Sequence, residues 1–284
     1  MITKLCNTIT CLKTKQKLYI ISFGIPFLTM LVLFAINKIF PFGDRSFLNI
    51  DMYHQYFPFL TEFFHKLRSG DSLFYSWNAG IGSNLIALYA YYLASPINWL
   101  CVFVPEGILM EFMTYLVVLK IGLCGLTASM YLSKHFNTEK MSVAFFALFY
   151  AMSGYMAAYN WNVMWLDCIV LAPLILLGLE SLVKEGKYKL YCLSLGIAIL
   201  SNYYICIMIC IFLVLYFLIV LLPLAEKKVR ACMHFASFSL LAGGIGALFP
   251  SDSAAPGNCP FGGHRSARCP GGAIFPKCRT DEFG

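Results

Sequence analysis

Apolar residues fall along this chain in blocks about as long as a membrane crossing, and basic residues collect in the gaps between them. Leu18 to Ile36 forms the first block, and others cover 107–132, 141–159, 168–183 and 232–249. The run 190–224 would extend roughly 50 Å as one helix, too long for one crossing. It contains Ser201-Asn202-Tyr203-Tyr204, and the pattern splits there into two short spans. The stretch 85–105 is apolar but broken by Pro96 within SPINW, which predicts a re-entrant or interfacial segment. The predicted fold is an all-α polytopic membrane protein with about seven transmembrane helices. Continuous rather than alternating apolar runs argue against a membrane β-barrel.

Composition agrees. Hydrophobic residues make up 60% of the 284 residues and charged residues 12%. A soluble domain carries about 25% charged residues, so a soluble enzyme, a disordered tail and a coiled coil are excluded. The net charge of +7 accompanies no nucleic-acid motif. Most of the 12 cysteines stand singly inside apolar runs, and no CxxC occurs. They read as small apolar fillers rather than a disulfide or zinc framework.

The basic residues set an orientation. With the N-terminus inside, the segments 1–17, 134–140, 184–189 and 225–230 face the cytoplasm and hold 12 of the 21 Lys and Arg. The outer segments hold four: Lys38, Arg45, Lys66 and Arg68. This matches the positive-inside rule. Trp77, Trp99, Trp161 and Trp165 all fall on the outer side, as an interfacial belt would. The domain organisation read from this pattern is a cytoplasmic N-terminus (1–17), a transmembrane domain (18–249) with an outer loop over 37–106, and an irregular tail (250–284). In that tail 18 of 35 residues are Gly, Ala, Arg or Pro, unlike the Phe-, Ile- and Asn-rich chain before it. It reads as off-frame or otherwise foreign.

Candidate chemistry concentrates on the outer side. From Asp51 to Arg68, apolar residues recur at helical spacing (Met52, Tyr53, Tyr56, Phe57, Leu60, Phe63, Phe64, Leu67), opposite a face with His54, Gln55, Glu62, His65 and Lys66. This predicts an amphipathic helix lying on the membrane with its aromatic side in the headgroups. Asp51 opens it, either as a helix cap or as a functional acid. The loop Asn78–Asn84 has a GxG but no phosphate-loop Lys and reads as a flexible link. Lys120 falls mid-span, where an ionisable group meets a lipid phosphate in a cavity, snorkels, or pairs with an acid on another helix. Asp167 ends the outer loop NWNVMWLD, either as a cap or as an acid at a cavity mouth. Asn202 and Tyr203 sit where the long run must break, and the freed backbone there implies a cavity wall. No metal-ligand pattern is present in the sequence.

The strings NIDMYHQYFPFLTEFFHKLRSGDSLFYSWNAGIGSN, YYLASPINWL, NVMWLDCIVLAPLILLGLESLVKEGKYKLY and LSNYYICIMICIFLVLYFL, in this order over about residues 15–249, resemble the YfhO family of bacterial membrane proteins. The resemblance implies a GT-C-like glycosyltransferase of the bacterial cell membrane. Its donor would be a polyprenyl-phosphate-linked sugar, and its acceptor a cell-surface polymer such as lipoteichoic acid on the outer face. It further implies that Asp51 is the general base, with Gln55 and Tyr56 shaping the site. Asp167 would be a second acidic candidate, and Asn202 and Tyr203 would line the donor groove. Family members are longer, so the chain reads as an N-terminal fragment. Two other readings stand beside this one: a transporter of lipid-linked sugar or polymer, and a non-catalytic membrane scaffold. Asp44, Asp51, Asp71 and Asp167 all fall on the outer side, which favours surface chemistry over transport.

Overall fold

The computed structural model describes residues 2–79 and 82–246, with side chains from residue 14 onward. The tail expected over 250–284 lies outside the described residues. Helix α1 covers Ile2–Ile36, so the basic stretch before Leu18 continues the first span as helix. A π-helical turn, Met52–Tyr56, leads into α2, Phe57–Ser69. A two-residue hairpin pairs β1 (Tyr75–Ser76) with β2 (Ser83–Asn84). Then come α3 (Leu85–Leu88), a π turn at Tyr89–Leu93 and a 3-10 helix at Pro96–Phe103. The remaining helices are α4 (Leu109–His135), α5 (Ser142–Ala151), α6 (Gly154–Tyr159), α7 (Val163–Glu185), α8 (Lys189–Ser201), α9 (Tyr203–Tyr216), α10 (Leu222–Leu224) and α11 (Lys228–Gly246).

Among the described residues, five segments are long and apolar enough to cross a bilayer: Thr14–Ile36, Glu106–His135, Ser142–Tyr159, Val163–Glu185 and Tyr203–Leu224. The other two expected spans are also helical. α8 is a shorter apolar helix of 13 residues, ended by the break at Asn202. The last expected span is α11, a helix of 19 residues. The broken apolar stretch around Pro96 is a helix pair bent by 105°. Ser95 precedes a proline, whose ring disfavours helical backbone at the residue before it, and Ser95 takes ψ 126°.

The helices approach closely where small residues allow it. A side chain at Gly125 of α4 would strike the Ser22 carbonyl and the Pro26 ring of α1, and one at Gly178 of α7 would strike the Tyr191 backbone of α8. Such contacts replace the hydrophobic drive that lipid does not supply. α4 is the central element, with 15 buried residues.

The amphipathic helix forms, but its apolar stripe does not face headgroups. Met52, Tyr56, Leu60, Phe63 and Phe64 are buried in one core with Leu93, Cys101, Leu109 and Met113. The stripe is protein-facing because the bent pair 85–103 and the start of α4 cover it. The end of β1 and Asn78 after it are tied to α2. Glu62 accepts from Ser76 Oγ at 2.6 Å and from Asn78 Nδ2 at 2.9 Å, which fastens the hairpin to α2.

Candidate functional site

The residues just before α2 adopt a costly conformation. Ile50 lies at φ 50°, in the left-handed region that a β-branched residue avoids. Such strain is of order 1–3 kcal/mol. It turns the chain so that the amides of Tyr53 and His54 both reach the Ile50 carbonyl, starting the π turn. Asp51 follows directly. It is exposed, and its carboxylate makes no capping hydrogen bond to the helix it precedes. Of the two sequence readings, the cap is therefore not the one found.

One turn on, Tyr56 is buried and donates from Oη to Asn162 Oδ1 at 2.9 Å. Burial pushes its phenol pKa well above the usual value, and the nearby negative charge of Asp51 adds to this. The hydroxyl therefore stays protonated and acts as a donor. Gln55 Nε2 donates to Tyr92 Oη at 3.2 Å. Tyr56 is flanked by rings on both sides, with Trp161 stacked at 6.2 Å and Tyr92 at 5.5 Å. Tyr92 meets Tyr91 edge-on at 4.6 Å, and Tyr91 meets Tyr203 edge-on at 5.7 Å. An aromatic row thus links the π turn before α2 to the start of α9. Tyr203 is 50% exposed at its end.

Asn202 is fully buried at the break between α8 and α9. Its Oδ1 caps α9 by accepting from Ile205 N at 3.0 Å, and its Nδ2 donates to the Tyr91 carbonyl at 3.1 Å. Both polar ends of the amide are thereby used. Asn202 fixes the aromatic row from behind, and Tyr203 presents the exposed ring.

α4 and α7 are joined by a buried ion pair. Lys120 is 0% exposed and donates to Asp167 Oδ2 at 2.7 Å and to the Val163 carbonyl at 3.0 Å. The other carboxylate oxygen, Oδ1, accepts from Ser95 Oγ at 3.0 Å. The expectation of an acid at the end of the outer loop is corrected here. α7 begins at Val163, which places Asp167 more than a turn inside it, 6% exposed. Lys120 takes the third of its sequence readings, pairing with an acid on another helix.

The structure therefore gathers Gln55, Tyr56 and Tyr203 on one row of aromatic rings, with Asp51 beside Tyr56 and Asn202 behind. It closes Lys120 and Asp167 on each other as a buried pair. A cavity of about 240 Å³ opens elsewhere, between the segment after α1 and the start of α4, lined by Asp44, Arg45 and Glu111 among others, and Asp51 does not line it. Sequence reasoning missed Ser95, Tyr92 and Asn162. Only the serine carried a local signal, its place before Pro96. It also missed Glu180, a buried acid of α7. Glu180 Oε1 accepts from Tyr131 Oη (3.1 Å), His135 Nδ1 (2.7 Å) and Tyr216 Oη (2.9 Å), and Oε2 from Lys184 Nζ (2.9 Å). A lone acid in an apolar run with a lysine four residues later was the available signal. Among the described residues no group of three or more His, Cys, Asp or Glu could hold a metal ion.

Comparison with known proteins gives one match. The family model described as bacterial membrane protein YfhO matches residues 22–250. No curated protein and no solved structure matches the chain.

Proposed function

This chain belongs to the YfhO family of bacterial membrane proteins, and from that membership we propose that it carries a sugar-transfer site. The family supports a membrane glycosyltransferase-like role. The finer reading is that a sugar moves from a polyprenyl-phosphate donor to a cell-surface polymer such as lipoteichoic acid. In this reading an acceptor hydroxyl oxygen attacks the anomeric carbon of the sugar. The bond from that carbon to the phosphate oxygen breaks, and polyprenyl phosphate leaves with the electron pair. The proton of the acceptor hydroxyl passes to Asp51 as general base.

One observation carries the reading: Asp51 is an exposed carboxylate with no capping hydrogen bond, fixed beside a buried row of aromatic and amide groups. A carboxylate already used as a cap would be a poor proton acceptor. The neighbouring phenol of Tyr56, held protonated, donates and does not compete as a base. Gln55, Tyr56 and Tyr203 then shape the groove, and Asn202 positions it. Asp167 and Lys120 act as positioning residues, because each already holds the other. The N-terminus is cytoplasmic in this reading, which puts Asp51 on the outer face.

The test is Asp51→Asn in the full chain reconstituted with a lipid-linked sugar and a surface-polymer acceptor. Asparagine preserves size, and no cap is lost. Losing a general base lowers the rate by about 10²–10⁴-fold, with normal amounts of folded protein. Transfer at close to the parental rate would refute the assignment.

A further inference from the structure

At the opposite end of α7 from the aromatic row, a second cavity of about 460 Å³ opens. Its walls come from the end of α7, from the α9–α10 end and from the start of α11. Apolar side chains including Leu182 and Leu221 form one side. The cations Lys184, Lys227 and Arg230 line it, together with the acids Glu185 and Glu226. Two of these five charges are already matched. Lys184 is held by Glu180 at 2.9 Å, and Glu185 by Lys187 at 2.6 Å. Lys227 and Arg230 have no ion-pair partner among the described residues, and one acid, Glu226, stands near them.

The surroundings add a second anomaly. α11 has no acidic residue in its first turn, where the free N–H groups and the helix dipole favour negative charge. The chain supplies Lys227, Lys228 and Arg230 there instead. The positive-inside rule explains basic residues in such a loop. It does not explain why two of them converge on a cavity with an apolar wall. Leu224, which lines the cavity, is 72% exposed and offers surface to acyl chains.

We propose that this cavity binds the phosphate headgroup of an anionic phospholipid, with Lys227 and Arg230 as the phosphate ligands and the apolar wall against the acyl chains. Basic pockets between helix ends at the membrane surface suit such headgroups. The site also touches Lys184, whose bond to Glu180 reaches Tyr131 and His135 of α4 and Tyr216 of α9. A phosphate in the cavity lies within the same polar network that ties these helices. The proposal is independent of the sugar-transfer reading and of which leaflet the cavity faces.

The test is native mass spectrometry of the full chain released from nanodiscs of phosphatidylglycerol mixed with phosphatidylcholine. The expected result is retained phosphatidylglycerol adducts in preference to phosphatidylcholine. In the double variant Lys227→Gln/Arg230→Gln, retention should fall about 10- to 30-fold, from roughly one favourable interaction per basic residue. A control, Lys140→Gln/Lys189→Gln, removes the same charge outside the cavity and should retain the lipid. Equal loss in the control, no lipid preference in the parent, or displacement by inorganic phosphate alone would each overturn the proposal. Both cavity residues are exposed, and an unchanged melting temperature confirms that the variant is folded.

Discussion

Cutting the Lys120–Asp167 pair gives the sharpest test of how the site is supported. The two groups meet at 2.7 Å with side-chain exposures of 0% and 8%. Asp167→Asn leaves a fully buried ammonium with only the Val163 carbonyl and a neutral amide. Lys120→Met leaves a buried carboxylate with only Ser95. Removing one partner of a buried pair typically costs about 3–5 kcal/mol, mostly the penalty of the stranded charge. Replacing both by groups of similar volume is often close to neutral. The double variant Lys120→Met/Asp167→Asn should therefore recover much of the loss, giving a coupling energy of about 2–3 kcal/mol. The assay is thermal or denaturant unfolding of purified protein in one detergent, for the parent, both single variants and the double. The sugar-transfer rate per folded molecule is measured beside it. A positioning role predicts a large stability loss in each single variant, with rescue in the double. If Asp167→Asn were as stable as the parent, the pair would not be the support described. If stabilities simply added, the two residues would not act as a unit.

Other measurements bear on the same site. Tyr56→Phe removes the bond to Asn162, whose Nδ2 is already without a partner, and should destabilise by about 1–3 kcal/mol. The raised pKa of Tyr56 means that the folded state keeps its proton after the unfolded chain has lost it, so stability contributed by this group is present below pH ~10 and falls above it. The Phe variant should show a shallower alkaline decline than the parent, and an identical slope would contradict the assignment. Asn202→Ala loses the α9 cap and the bond to the Tyr91 carbonyl, and should lower stability by about 1–2 kcal/mol while raising KM for the donor more than it lowers kcat. For orientation, Cys placed at Asp71 in a background lacking native Cys should react with an impermeant reagent from outside, and Cys placed at Glu185 should not. The reverse pattern would invert the topology.

Long apolar runs were legible because a membrane span must satisfy its backbone internally and expose apolar side chains. That is why the spans Thr14–Ile36, Glu106–His135 and Val163–Glu185 follow from the sequence to within about five residues at each end. The break at Asn202 was legible for the same reason: the run was too long for one helix. The sequence misled where two environments ask for the same residues. A stripe such as Met52, Tyr56, Leu60 and Phe63 satisfies a lipid headgroup layer or a protein core equally well, and only the fold of 85–103 over it decides. Asp167 shows the limit for single residues. Its pairing with Lys120 joins positions 47 apart in the chain, and no local pattern announces such a contact. Asp51, Gln55 and Tyr56 lay in one motif and could be found together. Tyr92 and Asn162, which complete their contacts, come from distant segments.

Glu180 sets a mechanical asymmetry on the molecule. Four donors from α4, α7 and α9 end on this one carboxylate. Hydrogen bonds involving a charged group contribute about 1.5–3 kcal/mol each. Any motion that spread these helices at that end would have to break several of them at once. At the other end Asp51 makes no capping bond and Tyr203 is half exposed. Glu180 is thus a knot shared by three helices. A helix-rocking cycle that opened first to one side and then to the other would need that knot to come undone on every turn. A surface reaction at Asp51 needs no such release.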